Sequence, residues 1–150
     1  MADARKAGYT WPSYVIRVER GKVVEFARAL HFQNPIFHDL EAARAQGYAD
    51  LPAPPTFSAV SQHYGPAQSL DDIGVDLRRV LAGGAEWEYL ADVVAGDELT
   101  VTPRVAAIER KQGGRGTMDV ITMESEFADE KGQPVLRLRT TILEILGEKA

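Results

Sequence analysis

The stretch from Glu98 to Leu146, "ELTVTPRVAAIERKQGGRGTMDVITMESEFADEKGQPVLRLRTTILEIL", decides the fold. In "ELTVTPRVAAIERK", Leu99, Val101, Val105 and Ala107 alternate with polar or small residues, the period of a half-buried strand. "QGGRG" turns the chain, and its glycines read as a hairpin turn, not a phosphate cradle. "TMDVITMESEFAD" sets Met118, Val120 and Thr122 against Ile121, Met123 and Phe127. "EKGQ" turns the chain again, and "PVLRLRTTILEIL" puts Leu136, Leu138 and Ile142 on one face. Three long strands joined by short turns form an antiparallel meander.

Upstream, "RVLAGGAEWEYLA" reads as one more strand, closed by a turn at "AGD". Near the start, "SYVIRVERG" is a short strand, with β-branched Val15, Ile16 and Val18. "KVVEFARAL" follows with Val23, Val24, Phe26, Ala27 and Leu30 at helical spacing. "LEAARAQGY" reads as a small helix, with Asp39 as N-cap and Gly47 as the left-handed residue that ends it. In "ADLPAPPTFSAVSQHYGP", Pro52, Pro54 and Pro55 extend the chain; "TFSAVSQHY" then runs as an apolar helix until Gly65-Pro66. "AQSLDDIGVDLRR" reads as loop. Strand, helical block and antiparallel sheet in that order give an α+β domain whose sheet wraps the apolar helix.

The 150 residues, 45% hydrophobic and 26% charged, suit one domain over 1–150. A net charge of −5 gives no general attraction to nucleic acid or anionic lipid, so neither is expected as a partner. Without cysteine there is no disulfide, thiolate nucleophile or Cys-based zinc site, and the three histidines lack a ligand spacing; no metal is expected. No apolar run has signal-peptide character or membrane-spanning length, so the expected location is cytoplasmic. No Gly-x-Gly-x-x-Gly or phosphate-loop pattern appears, and no cofactor is expected.

Three blocks, "FARALHFQNPIFHDLEAARAQGY", "DLPAPPTF" and "EWEYLADVVAGDELTVTPRV", resemble the MaoC-like dehydratases in content, order and spacing. The branch they resemble holds the dehydratase domain of fungal-type fatty-acid synthases and the small hydroxyacyl-carrier-protein dehydratase subunits. The resemblance runs from about Tyr14 to Leu146. It implies a hot-dog fold, a curved antiparallel sheet around a central helix, with two units pairing. It also implies an acyl-CoA or acyl-carrier-protein thioester as ligand, and reversible dehydration of a 3-hydroxyacyl group. Members that catalyse use an aspartate, any residue, Asn-Pro, any residue, histidine. Hydrating an enoyl thioester needs a base to take a proton from water and an acid to deliver one to the α-carbon, near neutral pH.

Carried over residue by residue, Asn34 and Pro35 match, Phe32 stands where the aspartate should be, and Phe37 stands where the histidine should be. A phenyl ring cannot exchange protons, so the usual pair cannot be built from this segment. His38, one residue later, is either a displaced acid–base or ligand-contacting group or a polar loop residue at a helix entrance. His31 is a second candidate base or an exposed packing residue, and His63 an interior or interface histidine. The backbone N–H groups of Thr56 and Phe57 are the candidate donors to a thioester oxygen, with Thr56 also the cap of the following helix. Asn34 braces the loop or sets its turn, while Phe32, Phe37 and Phe57 suit an apolar acyl wall. Glu86 and Glu88 are candidate sheet carboxylates or a solvated strand face. A phosphate contact would come from Arg78, Arg79, Arg104, Arg110, Lys111 or Arg115.

Three functions stay open. The preferred one is a catalytically incomplete, thioester-binding subunit, working as a homodimer or as a heterodimer with a catalytic MaoC-like subunit. The second is an active hydratase, dehydratase or thioesterase using His38 or a nearby acid–base group. The third is a purely structural hot-dog domain.

Overall fold

The computed structural model describes residues 1–66, 68–113 and 116–147. Arg115 lies outside the described residues, and so does the side chain of His63. Strand β1 is Tyr14–Arg17, helix α1 Arg20–Ala29 and helix α2 Leu40–Ala45. They are followed by β2 Val80–Tyr89, β3 Glu98–Gly113, β4 Gly116–Ala128 and β5 Pro134–Gly147. All five strands form one sheet in the order β1-β3-β4-β5-β2, every neighbouring pair antiparallel.

The meander β3–β4–β5 matches the alternating patterns, each strand pairing antiparallel with the one before it, while Gly114 and Arg115 of the expected QGGRG turn lie outside the described residues. Strand β2 instead pairs with β5, three positions from β3. Its register shifts between Ala82 and Gly84, and an added Cβ at Gly83 would stand 2.9 Å from the Thr141 carbonyl oxygen. A side chain there would collide with backbone, so the bulge requires glycine. A second shift, between Val105 and Ala107, breaks the alternation in β3 and bends it.

One face of the sheet carries two apolar clusters. The first joins Val23 of α1, Ala43 of α2 and Phe57 to Leu99, Val101, Phe127, Leu136 and Leu138 of the sheet. The second joins Trp11, Ile73 and Val75 to Val105 and Ile121. Fully burying one such aliphatic or aromatic side chain contributes about 1.5–3 kcal/mol.

The apolar helix expected after the prolines is a 3-10 helix, Phe57–His63. 3-10 winding is common in short pieces such as this run between Pro55 and Gly65. Thr56 does not cap it through its side chain; its backbone is left-handed, with φ 68°. What anchors this segment is packing and one polar bond: Phe57 meets Phe26 edge-on at 5.5 Å, and Trp87 Nε1 donates to Ser58 Oγ at 2.9 Å. "AQSLDDIGVDLRR" contains two further 3-10 turns, Leu70–Ile73 and Leu77–Arg79, capped by Ser69 and Asp76.

The cap at Asp39 forms as read, its carboxylate accepting from Ala42 N–H at 2.7 Å. Gly47 has φ 93°, the left-handed geometry that lets the chain leave α2. Two carboxylates sit where the strand patterns give no warning. Asp119 and Glu144 are buried and directly opposite each other on β4 and β5. Asp119 accepts both prongs of Arg110, and Glu144 accepts from the backbone N–H groups of Ala2 and Asp76. Buried charges persist only when so paired.

Candidate functional site

A cavity of about 260 Å³ opens between the helical block and the sheet. Its floor is Leu99, Phe127 and Leu136 of β3, β4 and β5, all buried, with Ile16 and Val18 beside them. Its walls are Ile36, Phe37, Tyr48, Phe57 and the run Pro52–Pro55, and its mouth is edged by Tyr89, Ala91 and Asp92. Polar groups are few: the Ser58, Tyr48 and Tyr89 hydroxyls and the Asp92 carboxylate, the only carboxylate among the described lining residues. An apolar chamber with a handful of polar side chains suits an apolar tail with a polar head.

The loop His31–Asp39 determines what chemistry reaches that chamber. Helix α1 ends in a left-handed His31, with φ 57°. His31 N–H donates to Arg28 O, and Phe32 N–H reaches back to Ala27 O. This paired closure usually takes glycine at the left-handed position. Asn34 Oδ1 then accepts from Ile36 N–H at 3.2 Å and starts the 3-10 turn Pro35–Phe37. That turn sends Ile36 and Phe37 to the cavity wall. His38 faces away from it. His38 Nε2 donates to the Phe32 carbonyl at 2.7 Å, and its ring lines a shallow groove with Arg28, His31, Phe32 and Gln33.

The residues expected at the site therefore divide. Phe37 and Phe57 line the cavity, whereas Phe32 packs on Phe37 at a ring separation of 5.5 Å and borders the outer groove. Asn34 is outside the cavity as a turn cap, and neither His31 nor His38 lines it. The two candidate oxyanion donors are both engaged: Thr56 N–H donates to Tyr89 Oη at 2.9 Å, and Phe57 N–H to Pro54 O at 3.0 Å. Sequence reasoning missed Tyr48, Ser58, Tyr89 and Asp92. No local motif marks them, because they come from segments far apart in the chain.

Nor do the candidate phosphate-binding groups stand free. Arg78 and Arg79 pair with Asp76, Arg104 with Glu124, Arg110 with Asp119 and Lys111 with Glu109. Hydrogen bonds from the Arg78 side chain and backbone hold the Asp76 carboxyl down at about 2. Burial pushes the Glu124 carboxyl up, but the hydrogen bonds from Arg104 and Arg139 outweigh it and leave the group below the usual carboxylate range. Glu88 is an exposed strand carboxylate bonded to Arg137 at 3.3 Å, and Glu86, also exposed, lies opposite Arg139. Among the described residues, no cluster of three or more His, Asp or Glu is arranged to hold a metal ion, and no helix is long and apolar enough to cross a membrane.

An antiparallel sheet with a helical block against one face, enclosing an apolar chamber, is the hot-dog arrangement. Solved structures share it. The HadBC (3R-hydroxyacyl-ACP dehydratase) complex of Mycobacterium tuberculosis superimposes with a TM-score of 0.80 at 25% identity, over 92% of this chain and 96% of that one. A MaoC-like dehydratase superimposes with a TM-score of 0.81 at 30% identity, over 93% of this chain and 42% of the other. The ChsH1–ChsH2 complex of M. tuberculosis, at 21% identity, shares the fold with a TM-score of 0.74 over 97% of this chain and 89% of that one. Residues 4–138 match the family profile of the FAS1-like dehydratase domain region. The chain belongs to this family of MaoC-like hot-dog dehydratases. Among relatives, a UPF0336 protein of Leifsonia xyli subsp. xyli is 41% identical over 88% of this chain and 86% of its own length. A UPF0336 protein of Streptomyces coelicolor is 36% identical over 93% of this chain and 91% of its own length.

Proposed function

We propose that this chain is the acyl-thioester-binding, catalytically incomplete subunit of a MaoC-like (R)-3-hydroxyacyl thioester dehydratase, acting in the cytoplasm. It pairs with a catalytic MaoC-like subunit that supplies the aspartate and histidine. The acyl tail of a coenzyme A or carrier-protein thioester enters the chamber over Phe37 and Phe57. Its head stays at the rim beside Tyr89 and Asp92.

The observation that carries this reading is the turn of the 31–38 loop, which offers the chamber a phenyl ring and commits the His38 imidazole to a backbone carbonyl. General acid–base groups contribute about 10²–10⁴-fold each. A chamber with no such pair among its described lining residues should bind far better than it converts. The two-component HadBC and ChsH1–ChsH2 complexes among similar structures support a paired arrangement. One observation favours a second reading, an enzyme in its own right: the Asp92 carboxylate stands at the rim, where it could activate water.

Calorimetry and enoyl absorbance with the purified chain and enoyl thioesters of coenzyme A test both. Binding without hydration is expected. Hydration or hydrolysis that disappears in Asp92→Asn would establish the second reading, and absence of binding would sink both.

A further inference from the structure

The chamber has a second boundary besides its mouth. Ile36 and Tyr48 line it on one side and, on the other, border an open groove of about 460 Å³ against Pro35, Ala42, Ala45 and Gln46. They are the only described residues common to both spaces, and none of the mouth residues Tyr89, Ala91 and Asp92 borders the groove. Two half-buried side chains therefore make up the shared wall. Local caps hold both in place. Asn34 Oδ1 accepts from Ile36 N–H at 3.2 Å and starts the turn Pro35–Phe37. Tyr48 N–H donates to Ala43 O at 3.1 Å and Gly47 N–H to Arg44 O at 2.9 Å, the paired closure that ends α2. Behind the wall, Ala42 and Ala45 of α2 line the groove with nothing larger than a methyl group, which leaves the space open. The chamber itself, at about 260 Å³, lies just below the ~300–1,000 Å³ of sites that enclose a drug-sized ligand.

We propose that Ile36 and Tyr48 are specificity-determining residues: their side chains end the acyl site and restrict it to short tails, and the groove behind them is the space a longer tail would need. This deepens the thioester-binding reading above and rests on it. Each methylene buried in the chamber lowers Kd by about fourfold. Affinity therefore climbs with tail length until the tail meets the wall, and then levels. Packed side chains on capped turns do not yield freely, because forcing extra methylenes into filled space displaces rotamers and backbone.

The test is isothermal titration of the purified chain with butyryl, hexanoyl, octanoyl, decanoyl and dodecanoyl thioesters of coenzyme A, saturated so that no hydration intervenes. Wild type is expected to tighten along the first members of the series and to level before dodecanoyl. Ile36→Ala joins the chamber to the groove, so dodecanoyl should bind at least about tenfold more tightly than to wild type, with a smaller change for butyryl. Tyr48→Leu thins the other half of the wall and should move the levelling point in the same direction. Melting curves report whether each variant is folded; if alanine unfolds the turn, Ile36→Val trims one methyl and reads the same shift at smaller size. Wild-type affinity that still climbs through dodecanoyl, or folded variants with the wild-type profile, overturns the wall and leaves the thioester reading standing. Absence of binding by wild type for every tail overturns the thioester reading, and this inference with it.

Discussion

Replacing His38 by alanine separates a structural imidazole from a catalytic one. In the structure the ring makes one hydrogen bond, Nε2 to the Phe32 carbonyl at 2.7 Å, which closes the loop that holds Ile36 and Phe37 at the chamber. Losing one such bond costs about 0.5–1.5 kcal/mol net. For a chain of this length each kcal/mol moves Tm by about 2–4 °C, so His38→Ala should melt roughly 1–6 °C lower. The loosened wall should weaken enoyl-thioester binding by about two- to tenfold, since 1.4 kcal/mol corresponds to tenfold. A catalytic imidazole behaves differently: its loss removes about 10²–10⁴-fold of turnover, roughly 2.7–5.5 kcal/mol of transition-state stabilisation. Scanning calorimetry, isothermal titration and enoyl absorbance on wild type, His38→Ala and His38→Gln distinguish the two. Glutamine keeps an N–H that can reach the carbonyl, so it should recover much of the melting temperature. If wild type hydrates enoyl thioesters and both variants lose at least a hundredfold with unchanged Tm, the structural account of His38 is wrong.

Three further outcomes are expected. Glu124 binds its proton less tightly folded than unfolded, so its contribution is complete above the ordinary value of 4.5 and is lost as pH falls through the lower folded value. Glu124→Gln should therefore flatten the acid limb of stability measured by urea unfolding against pH, and cost about 1.5–3 kcal/mol near pH 7; an unchanged limb would show that the two arginines do not hold the carboxylate in solution. Thr56→Gly relieves a β-branched residue of a left-handed backbone, worth about 1–2 kcal/mol, against about 0.5–1 kcal/mol of added chain entropy, so Tm should rise by a few degrees at most. A fall of several degrees would mean that the threonine side chain has a packing role. Gly65→Ala places a Cβ 2.5 Å from the Tyr14 ring, and such overpacking should destabilise by about 1–3 kcal/mol; a melting curve identical to wild type would deny the close approach.

Much of the fold was legible because periodicity and turn chemistry are local. The alternation in β3, β4 and β5 has one cause, a sheet with one buried face, and the caps at Asp39 and Gly47 need only their own neighbours. That Asn34 and Pro35 are flanked by Phe32 and Phe37, neither of which can exchange a proton, is also readable from the chain alone. Local reasoning failed where tertiary contacts outweigh propensity. The apolar run after the prolines winds as a 3-10 helix, and Phe26 and Trp87, distant in sequence, fix where it sits. Asp119 and Glu144 occupy buried strand positions because Arg110 and backbone N–H groups from remote segments satisfy them. The chamber itself is assembled from Ile16 to Leu136, so no window of sequence contains it. Which way each ring of the 31–38 loop points depends on how the end of α1 closes, and only the packed structure turned Phe37 inward and His38 onto the Phe32 carbonyl. Residue identity determined which groups can move a proton; the fold decided which of them reach the chamber, because reach is a property of the assembled backbone.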